Sequence, residues 1–219
     1  MGPYFLDRYD AGRRLAGALA KYANRPDLLV LALPRGGVPV GYEVAQELRA
    51  PLDVFLVRKL GVPGHEELAM GAIASGGVRI LDRHLVQMLG IESDDIERVT
   101  AREQRELERR ERLYRDKRPA PDVTGKTVII VDDGLATGST MRAAVDALRR
   151  EGALYIVVAV PIAAPDTCDS LREEVDDIVC AITPEPFRAV GIWYVDFSET
   201  SDEEVRNLVG RASLSNPGA

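Results

Sequence analysis

Four β-branched apolar residues in succession, Val128-Ile129-Ile130-Val131, run straight into Asp132-Asp133, then into the small and hydroxylated residues Gly134 to Thr140. The apolar run is the pattern of a strand buried on both faces, as in a parallel sheet covered by helices. Met141, Ala144, Val145 and Leu148 then recur at i, i+3, i+4 and i+7, so the next element is a helix that turns one face inward. Strand, small-residue loop and helix N-terminus, in that order, make an anion site. Free backbone N–H groups leave the loop, and the helix dipole adds partial positive charge. The hydroxyls of Thr137, Ser139 and Thr140 add donors. The two carboxylates narrow the ligand further. They repel a second phosphate, but they suit sugar hydroxyls or a divalent cation. A phosphate with a vicinal diol beside it, as in a ribose 5-phosphate, satisfies both halves. The plainer alternative is a solvated acidic turn before an ordinary helix; it accounts for the Asp pair but not for the Ala-Thr-Gly-x-Thr string behind it.

A second unit of the same kind lies upstream. Residues 28–33 are an apolar run, Pro34-Arg35-Gly36-Gly37 breaks it, and Val38, Val40, Val44, Ala45 and Leu48 fit a helix with Pro39 in its first turn. Arg35 supplies a cation, and Gly36-Gly37 let backbone come close to a ligand. A plain turn with a surface arginine is the alternative. Further strands are predicted at 52–57, 78–81, 154–160 and 177–182. Helices are predicted around Leu15, Leu19 and Tyr22, at 93–117, 164–175 and 198–209, with a frayed tail at 213–219. The alternation predicts an α/β fold: a doubly wound, Rossmann-like parallel sheet with helices on both faces and a small C-terminal hood segment. One domain over 1–219 is expected, its core at about 28–182. Ligands then gather at the carboxyl ends of the strands, where both glycine loops and the Asp pair lie.

Net charge sets limits on partners. At −7 over 219 residues the chain is a poor candidate for coating nucleic acid. Its longest apolar run, 154–164, contains Pro161 and is too short to span a bilayer. The first 14 residues mix charges and have no apolar core of a signal peptide. Two cysteines, Cys168 and Cys180, give no disulfide framework, so a reducing, cytoplasmic setting is the expectation.

Three stretches remain. Residues 60–69 show no period and carry Gly61, Pro63 and Gly64, which predicts a mobile loop. The helix at 93–117 is expected to be capped by Ser93 and braced by the i,i+4 pairs Glu106–Arg110, Glu108–Arg112 and Glu111–Arg115. Its thin apolar face, Ile96, Val99, Leu107 and Tyr114, reads as a largely solvated helix or, more sharply, as a homodimer contact. The segment 184–200 concentrates the aromatics Phe187, Trp193, Tyr194 and Phe197. From the residues alone it reads as a hydrophobic plug at the sheet edge.

At Asp132-Asp133 and Ala136-Thr137-Gly138-Ser139-Thr140 the chain resembles the type I phosphoribosyltransferases, whose motif for 5-phosphoribosyl-1-pyrophosphate (PRPP) has this form. The resemblance covers about 28–160. It implies Mg²⁺-dependent transfer of the phosphoribosyl group from PRPP to a nitrogenous base, with release of pyrophosphate, in nucleobase salvage. Asp132, Asp133, Arg35 and Lys59 are the implied catalytic residues. Gly134, Ala136, Thr137, Gly138, Ser139 and Thr140 would bind the 5-phosphate with the Asp pair on the ribose, while Arg35, Gly36 and Gly37 would bind pyrophosphate. Mg²⁺ would come with PRPP, with Asp132 or Asp133 as its only candidate protein ligands. The loop 60–69 would close over the site, offering Arg58, Lys59, His65, Glu66 and Glu67. Phe187, Val190-Gly191 and Asp196 follow the order of the base-binding segment in 6-oxopurine enzymes, so Phe187, Trp193 and Asp196 are the base-binding candidates, though Ala136 stands where those enzymes carry an aspartate. Two other readings use the same fold: a non-catalytic PRPP-sensing regulator, and a PRPP-making synthase.

Overall fold

The apolar runs assemble into one parallel sheet. In the computed structural model, which describes residues 4–116 and 118–215, the elements in chain order are α1 (Arg8–Ala18), β1 (Leu28–Ala32), α2 (Gly37–Leu48), β2 (Leu52–Val54), β3 (Val57–Val62), β4 (His65–Ala74), β5 (Arg79–Leu81), α3 (Arg83–Met88), α4 (Ser93–Arg115), β6 (Thr127–Val131), α5 (Ser139–Arg150), β7 (Tyr155–Ile162), α6 (Pro165–Arg172), β8 (Asp177–Ile182) and α7 (Asp202–Ser215). The main sheet has five strands in the order β2-β1-β6-β7-β8, all parallel.

Successive residues of a strand face opposite layers, and the core divides accordingly. Val30, Ala32, Ile129, Val131, Val157 and Ala159 pack with Leu15, Val44, Leu48, Leu107 and Leu208, from α1, α2, α4 and α7. Leu29, Leu31, Val128, Ile130, Ile156 and Val158 pack with Met141, Val145, Leu148 and Leu171, from α5 and α6. The chain therefore leaves β1 over one face and leaves the neighbouring β6 over the other. Adjacent strands whose connections diverge open a crevice at their carboxyl ends, and here that crevice lies between the Arg35-Gly36-Gly37 loop and the Asp pair.

The structure departs from the sequence reading in several places. The stretch 60–69 is not an irregular loop. β3 and β4 form an antiparallel hairpin that, with β5, makes a separate three-stranded sheet. Its period is hidden by register shifts on both sides of Gly61, where a Cβ would stand 2.6 Å from the Glu66 carbonyl oxygen. A glycine inside a strand marks such an approach of two backbones. The predicted strand 52–57 is split: β2 ends at Val54, and Val57 already belongs to the hairpin. Helix α3 has no counterpart among the predicted elements. Glu92, not Ser93, is the N-cap residue of α4, and no side chain bonds there. The apolar residues of α4 are buried within the chain. Helix α7 begins at Asp202 because Ser201 Oγ accepts from Glu204 N (3.1 Å). Of the predicted tail, 216–219 lie outside the described residues.

Cys168 of α6 and Cys180 of β8 are joined as a disulfide. Twelve residues of separation give no sequence signature, but α6 packs beside β8 and brings the thiols together. The reducing setting inferred from the cysteines loses its basis. Among the described residues no helix is long and apolar enough to cross a membrane.

Candidate active site

The site grows from the end of β6. Asp132 follows the last strand residue, and its Oδ1 accepts from the Asp133 N–H (2.8 Å). Burial, and then the neighbouring Asp133 charge, push the Asp132 carboxyl well above the usual carboxylate range. Burial also raises Asp133, while Arg8 beside it works in the opposite direction. Arg8, the first residue of α1, donates through Nε to Asp133 Oδ2 (2.8 Å) and through Nη1 to the Ser198 carbonyl (2.6 Å). The Tyr194 hydroxyl donates to the Asp133 carbonyl (2.5 Å), and burial pushes the pKa of that hydroxyl up. Two like charges enclosed side by side are costly unless a ligand answers them.

The loop after the pair is braced from behind. Leu135 bonds to the end of β7 through Leu135 N to Ile162 O and Ala164 N to Leu135 O, both 2.9 Å. Thr167 of α6 donates to the Ala136 carbonyl (2.6 Å), and Arg142 donates to the Thr137 carbonyl (2.9 Å). Arg142 is itself held by Glu174 (2.8 Å) and Ser170 (2.6 Å). The loop's carbonyls are thus taken up on the protein side. Helix α5 starts at Ser139, and its first internal donor is Arg142 N, to Gly138 O (2.8 Å). The amides before it point out of the helix end, as the first amides of any helix do. Thr137 Oγ1 and Ser139 Oγ lie 3.2 Å apart at the same mouth.

Gly36 and Gly37 press against the acidic segment. A Cβ on Gly36 would overlap the Asp133 carboxylate, and one on Gly37 would stand 2.7 Å from the Val131 carbonyl oxygen. Only glycine permits that contact. The sequence reading assigned these glycines to a ligand; the structure shows that they also let the two loops touch. Pro34–Arg35 is a cis peptide bond. Arg35 pairs with Glu199 and approaches Asp202 (3.7 Å), so its guanidinium faces the C-terminal segment. Lys59 on β3 lines a pocket of about 370 Å³ with Thr140, Arg58, Glu66 and Arg102. The hairpin therefore brings Lys59 to the side of the loop that ends at Thr140. Arg58 is turned away onto the buried Glu103 (2.6 Å).

The hood segment has its own small core of Phe5, Ala11, Ile162, Trp193 and Tyr194, with Phe187 and Val190 packed on it. Trp193 is buried against Tyr4, ring centroids 5.4 Å apart, and its Nε1 has no hydrogen-bond partner among the described residues. Trp193 thus packs into the small core of this segment. Asp196 is exposed and accepts from Ser198 N (2.9 Å). Phe197 lies at the site instead, under the Arg8 guanidinium at 4.0 Å. Val190 covers Gly134. Arg8, Tyr194 and Phe197 are site residues that the sequence reading misses. Arg8 is 125 positions from Asp133, and no local pattern joins them.

A family model for the phosphoribosyl transferase domain matches residues 5–191. The chain belongs to this family. The phosphoribosyl transferase match takes in both loops, the hairpin and the first part of the hood. A Mycobacterium tuberculosis (strain H37Rv) protein named "Putative phosphoribosyl transferase" is 46% identical over 208 residues, covering 95% of this chain and 47% of that protein. The chain thus spans about half the length of that curated relative. A ribose-phosphate pyrophosphokinase of Methanopyrus kandleri is 31% identical over 203 residues, covering 89% of this chain and 64% of the kinase. Among solved structures, the protein TT1426 from Thermus thermophilus superposes with a TM-score of 0.84 at 41% identity, covering 95% of this chain and 98% of that one.

Proposed function

We propose that this phosphoribosyl transferase domain transfers the 5-phosphoribosyl group of PRPP to a nitrogenous base and releases pyrophosphate. The observation that carries the reading is the crevice between β1 and β6, where an enclosed carboxylate pair, a helix N-terminus and an arginine-glycine loop meet. The amides and hydroxyls of 136–140 hold the 5-phosphate. Asp132 and Asp133 accept from the ribose hydroxyls, which answers the cost of their burial. Arg35 and the Gly36-Gly37 backbone receive pyrophosphate, which displaces the exposed Glu199 from Arg35. Lys59 reaches the same anion from the hairpin.

In the reaction the bond from ribose C1 to pyrophosphate oxygen breaks and a bond from C1 to the base nitrogen forms. Positive charge develops on the ring and negative charge on the leaving group. The chain positions the partners and stabilises those charges. Among the described residues no cluster of three or more metal-ligating side chains is present. The Asp pair fits Mg²⁺, which takes one or two carboxylates and keeps phosphate and water oxygens. Asp132 or Asp133 would hold the ion, which would supply positive charge against the leaving group when bound. Closure of the hairpin and hood excludes water from the reactive sugar carbon.

Pyrophosphate release from PRPP, measured over a panel of bases with and without Mg²⁺, tests this. Release that needs both a base and Mg²⁺ is expected. PRPP binding without release for any base would replace the transferase reading with a sensor; no binding at all would end both.

A further inference from the structure

We infer that Arg8 is a positioning residue that couples the C-terminal segment to the ribose-binding carboxylates. The inference rests on the PRPP reading above. Arg8 is 11% exposed at its side chain, yet it meets three separate parts of the site. Its Nε holds Asp133 Oδ2 at 2.8 Å. Its Nη1 holds the Ser198 carbonyl at 2.6 Å. Its planar face lies on the Phe197 ring at 4.0 Å. A guanidinium suits this task because it pairs, donates in a fixed fork and stacks at once.

The surrounding chain makes Arg8 a fixed point. Phe5 pairs with Tyr194 as a parallel bridge, Val195 N donates to Phe5 O (2.8 Å), and Asp196 N donates to Leu6 O (2.9 Å). The segment before Arg8 and the segment over the site are therefore one unit. Tyr194 from that unit also grips the Asp133 carbonyl (2.5 Å). Asp133 is held at its main chain by one residue and at its carboxylate by another, both carried by the same unit. With Oδ2 engaged, rotation of the carboxylate is restrained, and Oδ1 is the oxygen left to accept from a ribose hydroxyl. Seating the sugar then reports directly to the strap at 193–198, and movement of the strap changes the seat.

Trp193 is the one tryptophan in the sequence and lies in this strap, so its fluorescence reads the coupling. The experiment titrates Mg²⁺-PRPP into the unaltered chain and into R8Q, R8K, D133N and R8Q/D133N, following Trp193 emission, with steady-state kcat and KM measured in parallel. R8Q is expected to weaken PRPP binding about tenfold, seen in KM more than in kcat, since misplacement of a positioned group costs in this range. R8K, which keeps a charge at Asp133 but loses the fork to Ser198 and the face on Phe197, should recover only part of the loss and bind between R8Q and the unaltered chain. In the D133N background the R8Q loss should shrink below about threefold, because residues acting through one contact are not additive. R8Q binding PRPP within twofold of the unaltered chain, or equal R8Q losses with and without D133N, would overturn the role. R8K as weak as R8Q would do the same. If R8Q does not fold, R8K and R8K/D133N carry the cycle, and a full-sized R8K loss in both backgrounds is the refuting result. Failure of the unaltered chain to bind PRPP would remove the PRPP reading and this inference with it, which is a different outcome from normal binding that ignores Arg8.

Discussion

Replacing Asp132 by Asn should move activity and stability in opposite directions. The amide keeps the shape of the carboxylate, and its carbonyl can still accept from Asp133 N, as Oδ1 does at 2.8 Å. What is lost is a charge that burial and Asp133 both disfavour. Removing one electrostatic stabiliser of a transition state costs roughly tenfold to a thousandfold in rate, about 1.4–4 kcal/mol of barrier. Removing a strained buried charge at a functional site returns about 0.5–2 kcal/mol of folding stability, or a rise of roughly 1–8 °C in Tm for a chain of this size. The sign with pH follows from the raised carboxyl. Its cost to the fold is absent below the ordinary carboxylate range and appears as pH rises through the elevated folded value. The stability advantage of D132N should therefore be small at acid pH and larger at pH 8. Turnover with PRPP and thermal unfolding at both pH values measure the two effects. Unchanged turnover would refute the assigned role. Lost turnover with a Tm that falls in step would make Asp132 a structural residue.

Three further outcomes are expected. Glu151, at the end of α5, has a buried Oε1 without a hydrogen-bond partner among the described residues, and burial lifts its carboxyl from the ordinary 4.5 to about 7; that interval corresponds to about 3 kcal/mol, reduced to about 1–2 kcal/mol by partial solvent screening. The cost is absent below pH 4.5 and complete above pH 7, so denaturant titrations should show E151Q gaining stability at pH 8 and not at pH 4, and an equal gain at both would refute it. The exposed hairpin tip at 63–68 should be cut by protease in the free chain and protected by Mg²⁺-PRPP; equal cleavage would argue against closure. Ala136 has no group to take or give a proton, so guanine and hypoxanthine should be poor acceptors beside adenine, uracil and orotate in steady-state assays, and efficient turnover of guanine would refute that.

Legibility in the sequence tracks distance along the chain. Strand β6, its loop and α5 are readable because every residue needed lies within a few positions of the next. The parallel sheet follows from apolar runs that match in kind. The hairpin is unreadable because its bulge at Gly61 breaks the alternation, and Pro63-Gly64 at its tip looks like loop chemistry. The disulfide is unreadable because only the packing of α6 on β8 brings its thiols together. The hood is half-readable: aromatic density marks a segment that closes over something, but not which rings face inward. Trp193 goes to the small core and Phe197 to the site, a choice set by pairing with residues 4–6. Arg35 reads as a free cation, and only the fold shows Glu199 and Asp202 in front of it.

The two loops of the crevice hang from neighbouring strands locked over five register pairs, from Leu28↔Thr127 to Ala32↔Val131. Their separation is therefore a property of the sheet, as rigid as the core itself. The hairpin belongs to a separate sheet, and the strap is held at the rim by pairing with residues 4–6 and by side chains such as Arg8 and Tyr194. A lineage can then redraw the rim while the crevice stays in place, so that the two parts are inherited separately and can drift at separate speeds.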